Sequence, residues 1–129
     1  GSQFRERNIS YACDVAKTMQ ARLTLIHAVT LPTIAEPGVL IDPKPFEQNG
    51  LKTLEKAKRI AEAKGIDPET KLRNAFGNPA QEILRAAEEG EFDLIIIGAK
   101  GHSLLRNLMV GSVCDTVVPN APCPVLVVR

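Results

Sequence analysis

Residues 92–112 read Phe92-Asp93-Leu94-Ile95-Ile96-Ile97-Gly98-Ala99-Lys100-Gly101-His102-Ser103-Leu104-Leu105-Arg106-Asn107-Leu108-Met109-Val110-Gly111-Ser112. The first part, Phe92 to Ile97, carries three consecutive isoleucines. A short run that is apolar on both sides of the pleat, rather than alternating, is the pattern of a parallel strand covered on both faces. Glycine then recurs as G-x-x-G, nine residues, and G-S. Gly98 and Gly101 would turn the chain at the carboxyl end of the strand, and Gly111 and Ser112 would open the next helix. Backbone N–H groups converging at such a turn, with the positive end of a helix dipole behind them, form a cradle for phosphate. Glycine serves there because the backbone must approach the ligand closely or take positive φ. The Ser112 hydroxyl and the N–H groups of Ser112 and Val113 would face the anion. The loop is neither a Walker loop nor a G-x-G-x-x-G fingerprint, and strand-ending or helix-capping glycines are the plain structural alternative.

Working outward, the elements alternate. Ile9, Ala12, Cys13 and Ala16 recur at helical spacing, which predicts a helix from Phe4 to Gln20 with Ser2 as a cap. Leu23 to Val29 reads as a strand. Residues 30–45 contain Pro32, Pro37, Gly38, Pro43 and Pro45 and read as a long irregular loop. A helix follows from Phe46 to Lys64, with Leu51, Leu54, Ala57 and Ala61 as its buried face and Gly65 as its stop. Lys71 to Phe76 is a polar-apolar strand near a sheet edge. Asn78-Pro79 starts a helix, Asn as N-cap and Pro at the first helical position, with Ile83, Leu84 and Ala87 inward. Beyond the glycine loop, Ser112 to Val118 is helical, ending before Pro119, and Val125 to Val128 is the last strand. The resulting order, α-β-α-β-α-β-α-β, implies an α/β fold: right-handed crossovers and a parallel sheet between two helical layers.

Composition narrows the function classes. The chain has 129 residues, 44% apolar and 24% charged, with a net charge of +1. No basic cluster and no Trp are present, so neither phosphate-backbone attraction nor a base-stacking platform points to nucleic acid. The apolar runs are far short of a bilayer span. Cys13, Cys114 and Cys123 are odd in number and widely spaced; they form neither a zinc motif nor a disulfide framework. Reduced thiols and the lack of a charged-then-apolar leader read as cytoplasmic. No Ser/His/Asp or Cys/His arrangement stands out. His27 reads as a packed core histidine. Lys100, His102 and Arg106 lie in the glycine loop, where they are candidate phosphate contacts or solvated loop residues.

The G-x-x-G-x₉-G-S loop, together with Val117, Pro122 and the ending Cys123-Pro124-Val125-Leu126-Val127-Val128, resembles the ATP-binding branch of the universal stress protein family. The resemblance extends to Ala21-Arg22-Leu23-Thr24-Leu25-Ile26-His27-Ala28-Val29 and to Gly77-Asn78-Pro79-Ala80-Gln81-Glu82-Ile83, and so to essentially the whole chain. It implies a three-layer α/β/α sandwich of the adenine nucleotide alpha hydrolase type, with a parallel sheet of order 3-2-1-4-5. It further implies that Gly98, Gly101, Gly111 and Ser112 hold ribose and phosphates, and that Val113 adds a backbone N–H. Ile97 would line the ribose and adenine side, and Ala28 would meet adenine through its backbone. The ligand would be ATP, with AMP and ADP as alternatives, accompanied by Mg²⁺. A homodimer through Val125–Val128 and a regulatory role in the stress response, with at most slow hydrolysis, complete the expectation.

One departure is expected to shape the fold. Family members open on an apolar strand ending in Asp-Gly-Ser, and that Asp contacts the nucleoside; this sequence starts at Gly1-Ser2 and goes directly into a helix. The central strand of a 3-2-1-4-5 sheet is therefore absent from these residues. The numbered sequence is expected to be incomplete, or another segment fills the gap, and strand Leu23–Val29 is expected not to pair with Leu94–Ile97. The same gap supports a second functional class, an interaction domain without nucleotide that is a piece of a larger transporter or sensor.

Overall fold

The computed structural model describes residues 2–32, 37–99 and 112–129. In chain order the elements are α1 (Ser2–Met19), β1 (Thr24–Leu31), α2 (Lys44–Ala63), β2 (Glu69–Phe76), α3 (Pro79–Glu89), β3 (Ile95–Gly98), α4 (Ser112–Asn120) and β4 (Val125–Val128). β1 pairs in parallel with β2, Thr24 opposite Glu69 through Leu31 opposite Phe76. β3 pairs in parallel with β4, Ile95 opposite Val125 through Gly98 opposite Val128. Among the described residues the two pairs are separate, and β1 and β3 are not hydrogen-bonded to one another. The split expected from the sequence is thus present, with β1 and β2 in one pair and β3 and β4 in the other.

Crossover handedness places the helices. The connection from β1 through α2 to β2 runs outward along the sheet, whereas β2 through α3 to β3 runs back across it. With both right-handed, α2 and α3 lie on opposite faces. The packing agrees: α1 lies against α2, α3 lies against α4, and α3 passes over both β1 and β2. α1 also rests on β3, so it joins the second strand pair to the first helical layer. The result is a three-layer α/β/α arrangement.

The core follows from the periodicity, with corrections. On α1 the stripe Ala12, Cys13 and Ala16 is buried, Cys13 completely. On α2, Leu54 and Ala61 are buried as the spacing predicts, but Leu51 is 55% exposed. Gly50 takes the inward place instead. A Cβ there would come within 2.7 Å of Leu72 Cδ1 and 3.4 Å of His27 Cδ2, so α2 approaches the sheet at a glycine and Leu51 is rotated off the contact. His27 is accordingly a packed residue of β1.

Element ends differ from the sequence reading where one hydrogen bond decides them. Glu69 N–H donates to the Leu23 carbonyl at 3.0 Å, which starts β2 two residues before Lys71. Phe92 N–H donates to Ala87 O at 3.2 Å and closes the end of α3, so β3 begins only at Ile95. Pro119 sits inside the last turn of α4. There the Asn120 side-chain amide donates to the Thr116 carbonyl at 2.8 Å, and the helix runs to Asn120. Asn78 is the N-cap of α3, its Oδ1 accepting from Ala80 N–H at 3.0 Å with Pro79 following, as the Asn-Pro pair predicts.

Candidate functional site

The sheet changes direction between β1 and β3: one crossover leaves β1 to one side, and α3 returns to place β3 on the other. In open α/β sheets such a switch point leaves a crevice outside the carboxyl ends of the strands. The carboxyl ends here are Leu31, Phe76, Gly98 and Val128. α3 starts just beyond Phe76, so its first turn lies at this end. α4 leads into the amino end of β4 and therefore has its own first turn at the carboxyl end as well. A hydrogen bond from Asn78 Nδ2 to Thr116 Oγ1, 3.3 Å, ties the cap of α3 to α4 and joins the two halves of the fold. The positive dipole ends of two helices thus face the same side as the ends of β1 and β3.

The sequence-derived residues divide into two groups. Ala28 lies on β1 opposite Arg73, half-buried. Ile97 lies on β3 opposite Val127, also half-buried, and Gly98 ends that strand opposite Val128. Ser112 is the first residue of α4, and Val113, half-buried, is the second. Lys100, Gly101, His102, Arg106 and Gly111 lie outside the described residues. Ala28, Ile97, Gly98, Ser112 and Val113 therefore belong to elements whose carboxyl or helix-starting ends share one side of the sheet.

Asn8 was not singled out from the sequence. A Cβ on Gly98 would overlap its side-chain amide, with the Asn8 Cγ 3.3 Å away. Gly98 is glycine because α1 comes this close to the strand. The same approach brings a carboxamide, able to donate and accept, to the point where the glycine loop begins. The available signal was position: Asn8 is four residues before Ala12 and eight before Ala16, on the buried stripe of α1, where a polar side chain needs a reason.

Burial keeps the nearby thiol inert. Cys114, on the buried side of α4 with Val117, is only 3% exposed. Burial pushes its pKa up and the neighbouring Asp115 adds to this, so the thiol stays protonated. Among the described residues no group of three or more His, Cys, Asp or Glu side chains is arranged to hold a metal ion, and no helix is long and apolar enough to cross a membrane.

A cleft of about 620 Å³ opens at the opposite end of the strands, between Leu23 and Thr24 on one side and Leu94 and Ile96 on the other. The C-terminal ends of α1 and α3 border it, at Met19 and Gly90. Those helix ends carry partial negative charge. Side chains of both signs, Arg22 and Lys71 beside Glu69, Glu91 and Asp93, line the rest of the cleft.

Known proteins share this arrangement. The model of the universal stress protein family matches residues 1–129. The chain is 36% identical over 140 aligned positions to the universal stress protein YxiE of Bacillus subtilis, covering all of this chain and 93% of that protein. The solved structure of the universal stress protein UspA from Lactobacillus plantarum superposes with a TM-score of 0.74 at 27% identity, covering 95% of this chain and 88% of that one. That of the Archaeoglobus fulgidus universal stress protein in complex with dAMP gives a TM-score of 0.72 at 24% identity, covering 100% and 90%. With the switch point between β1 and β3, the superposition on known relatives and a family match over residues 1–129 together, the chain belongs to the universal stress protein family.

Proposed function

We propose that residues 1–129 act as one adenine-nucleotide-binding domain with a regulatory role in the stress response. The reading rests on one observation above all: the carboxyl end of β3, at Gly98, and the first turn of α4 lie on the same side of the sheet beside the switch point. The dAMP complex of the Archaeoglobus fulgidus relative supports the ligand class. ATP is the proposed ligand, with AMP and ADP as alternatives. Ala28 and Ile97 meet the nucleoside; Gly98, Gly101, Gly111, Ser112 and Val113 offer backbone and hydroxyl groups to ribose and phosphates. Lys100, His102 and Arg106 supply charge to the phosphates. Mg²⁺ would accompany the nucleotide and offset its phosphate charge. Hydrolysis is slow at most, because positioning of phosphate and metal works without a residue assigned as general base. The protein acts in the cytoplasm as a two-fold dimer joined along β4.

A second reading, an interaction domain without nucleotide, draws on the open place between β1 and β3, which leaves one wall of a nucleoside pocket unbuilt. Calorimetric titration with ATP, of this chain and of its Gly111→Val variant, separates the two. The nucleotide reading expects saturable binding that the valine abolishes. Equal binding by both proteins overturns the assigned loop site, and binding by neither favours the interaction domain.

A further inference from the structure

α1 carries a polar side chain where its own pattern calls for an apolar one. Asn8 stands four residues before Ala12 and eight before Ala16, both buried, so it shares their stripe. A carboxamide on such a stripe costs free energy unless something bonds to it. Other amides of the fold are committed. Asn78 Oδ1 accepts from Ala80 N–H, and its Nδ2 donates to Thr116 Oγ1. Asn120 Nδ2 donates to the Thr116 carbonyl. Asn8 is half-buried, and among the described residues no hydrogen bond or ion pair holds its side chain.

Its place along the helix is specific. Val15, Ala16 and Met19 of α1 border the cleft at the amino ends of the strands. Asn8, roughly two to three turns earlier, lies against Gly98, the last residue of β3. α1 therefore runs antiparallel to β3 and brings Asn8 to the carboxyl end of the sheet. A Cβ on Gly98 would overlap Asn8 Nδ2 and would lie 3.3 Å from its Cγ and 3.8 Å from its Oδ1. The amide thus rests on the glycine at which the glycine-rich loop begins. Packing alone needs no amide there. A leucine has the same branched shape and would suit an apolar stripe better. What the amide adds is uncharged hydrogen bonding, which serves a sugar hydroxyl and a phosphate oxygen alike.

We propose that Asn8 is a further binding residue of the nucleotide site, its carboxamide bonding a sugar or phosphate oxygen of the ligand beside Gly98. This rests on the nucleotide reading of the carboxyl side given above. It adds α1 to the elements that build the site, beside β1, β3 and α4. The base is met elsewhere, and Asn8 has no part in holding it.

The test titrates the chain and its Asn8→Leu and Asn8→Ala variants with ATP, adenosine and free adenine by calorimetry, and records thermal unfolding of each without ligand. Leucine keeps the shape and removes the hydrogen bonding. ATP affinity should fall about tenfold or more in both variants. Asn8→Leu should unfold at the temperature of the parent or above it, as polar site residues do when replaced by apolar ones. Adenosine separates the two oxygens. An equal fall for adenosine puts the contact on the sugar, and a fall for ATP alone puts it on a phosphate; either supports the proposal. Each variant is read on its own, so one that does not fold leaves the other to decide. Unchanged ATP affinity in a folded variant, with the parent binding, overturns the proposal and leaves the nucleotide reading standing. A fall confined to a variant whose unfolding temperature has also dropped marks Asn8 as a packing residue and overturns it too. So does an equal fall for free adenine, which would put the contact on the base. No ATP binding by the parent chain removes the nucleotide reading and this proposal with it.

Discussion

The two outer strands of the sheet are built differently. β2 reads Glu69-Thr70-Lys71-Leu72-Arg73-Asn74-Ala75-Phe76, with three charged residues in eight positions. Its Arg73 reaches back to α3, bonding Glu89 at 3.0 Å and Glu82 at 3.4 Å. β4 reads Val125-Leu126-Val127-Val128 and has no charge. Charged side chains on an edge discourage a further strand, whereas an apolar edge invites one. This contrast is the physical basis for assigning the proposed dimer to β4 and not to β2.

The largest expected effect tests that contrast directly. Because Val128 O accepts from Ala99 N–H, the even-numbered residues of β4 face β3 and the N–H of Val127 points outward. Val127→Pro removes that donor and leaves the β3 ladder intact. Sedimentation equilibrium should show dimer dissociation shifted by a factor of about a hundred or more, the loss of a few kilocalories per mole at the interface. Asn74→Pro, the matching change on the outer side of β2, should leave the association state unchanged. If Asn74→Pro dissociates the dimer and Val127→Pro does not, the assignment of the two edges is reversed.

A smaller effect is expected where α1 meets β3. Gly98→Ala places a methyl group in the Asn8 amide and should destabilise the fold by about 1–3 kcal/mol in denaturant titration, as overpacking does. Adding Asn8→Gly should restore most of the loss. Without that rescue, Gly98 is required for something other than the close approach of α1. Next, Asn78→Ala removes both the cap on α3 and the bond to Thr116, and should cost about 1 kcal/mol. A negligible change would mean that this link contributes nothing to joining the halves.

The smallest effect concerns pH. The hydrogen bond from Arg73 holds Glu89 below the usual carboxylate range, with the charge of Arg73 adding to it. A carboxylate whose pKa is depressed in the fold adds stability above its unfolded pKa, and that contribution fades as pH falls through the folded value. Glu89→Gln should therefore flatten the acid side of the stability profile slightly and leave neutral pH nearly unchanged. Because the Glu89 side chain is 63% exposed, added salt should shrink even this difference.

Legibility from sequence followed how local the deciding interaction was. Asn78-Pro79 announced a helix start because capping needs only adjacent residues. Ile95-Ile96-Ile97 announced a parallel strand because burial on both faces removes alternation. The split between β1 and β3 was legible because the two are not neighbours in the strand order that the family resemblance implies. Leu51 was misread because helical spacing gives a face but not the closeness of approach, which is set here at Gly50 by Val29, Leu72 and His27 on two strands. Asn8 was missed for the same reason: its meaning depends on Gly98, ninety positions away. At the site, the strand and helix termini carrying Ile97, Gly98, Ser112 and Val113 followed from the sequence, while the nucleotide itself was implied by the family resemblance.

The proposed site puts ligand chemistry on the carboxyl side of the sheet rather than in the cleft at its amino end. Backbone amide shifts recorded by NMR during an ATP titration decide it most directly. Shifts are expected to cluster at Ala28, Ile97, Gly98 and Val113, with Leu23, Glu69 and Leu94 unmoved. Shifts centred on Leu23, Glu69 and Leu94, or none at saturating ATP, would contradict it.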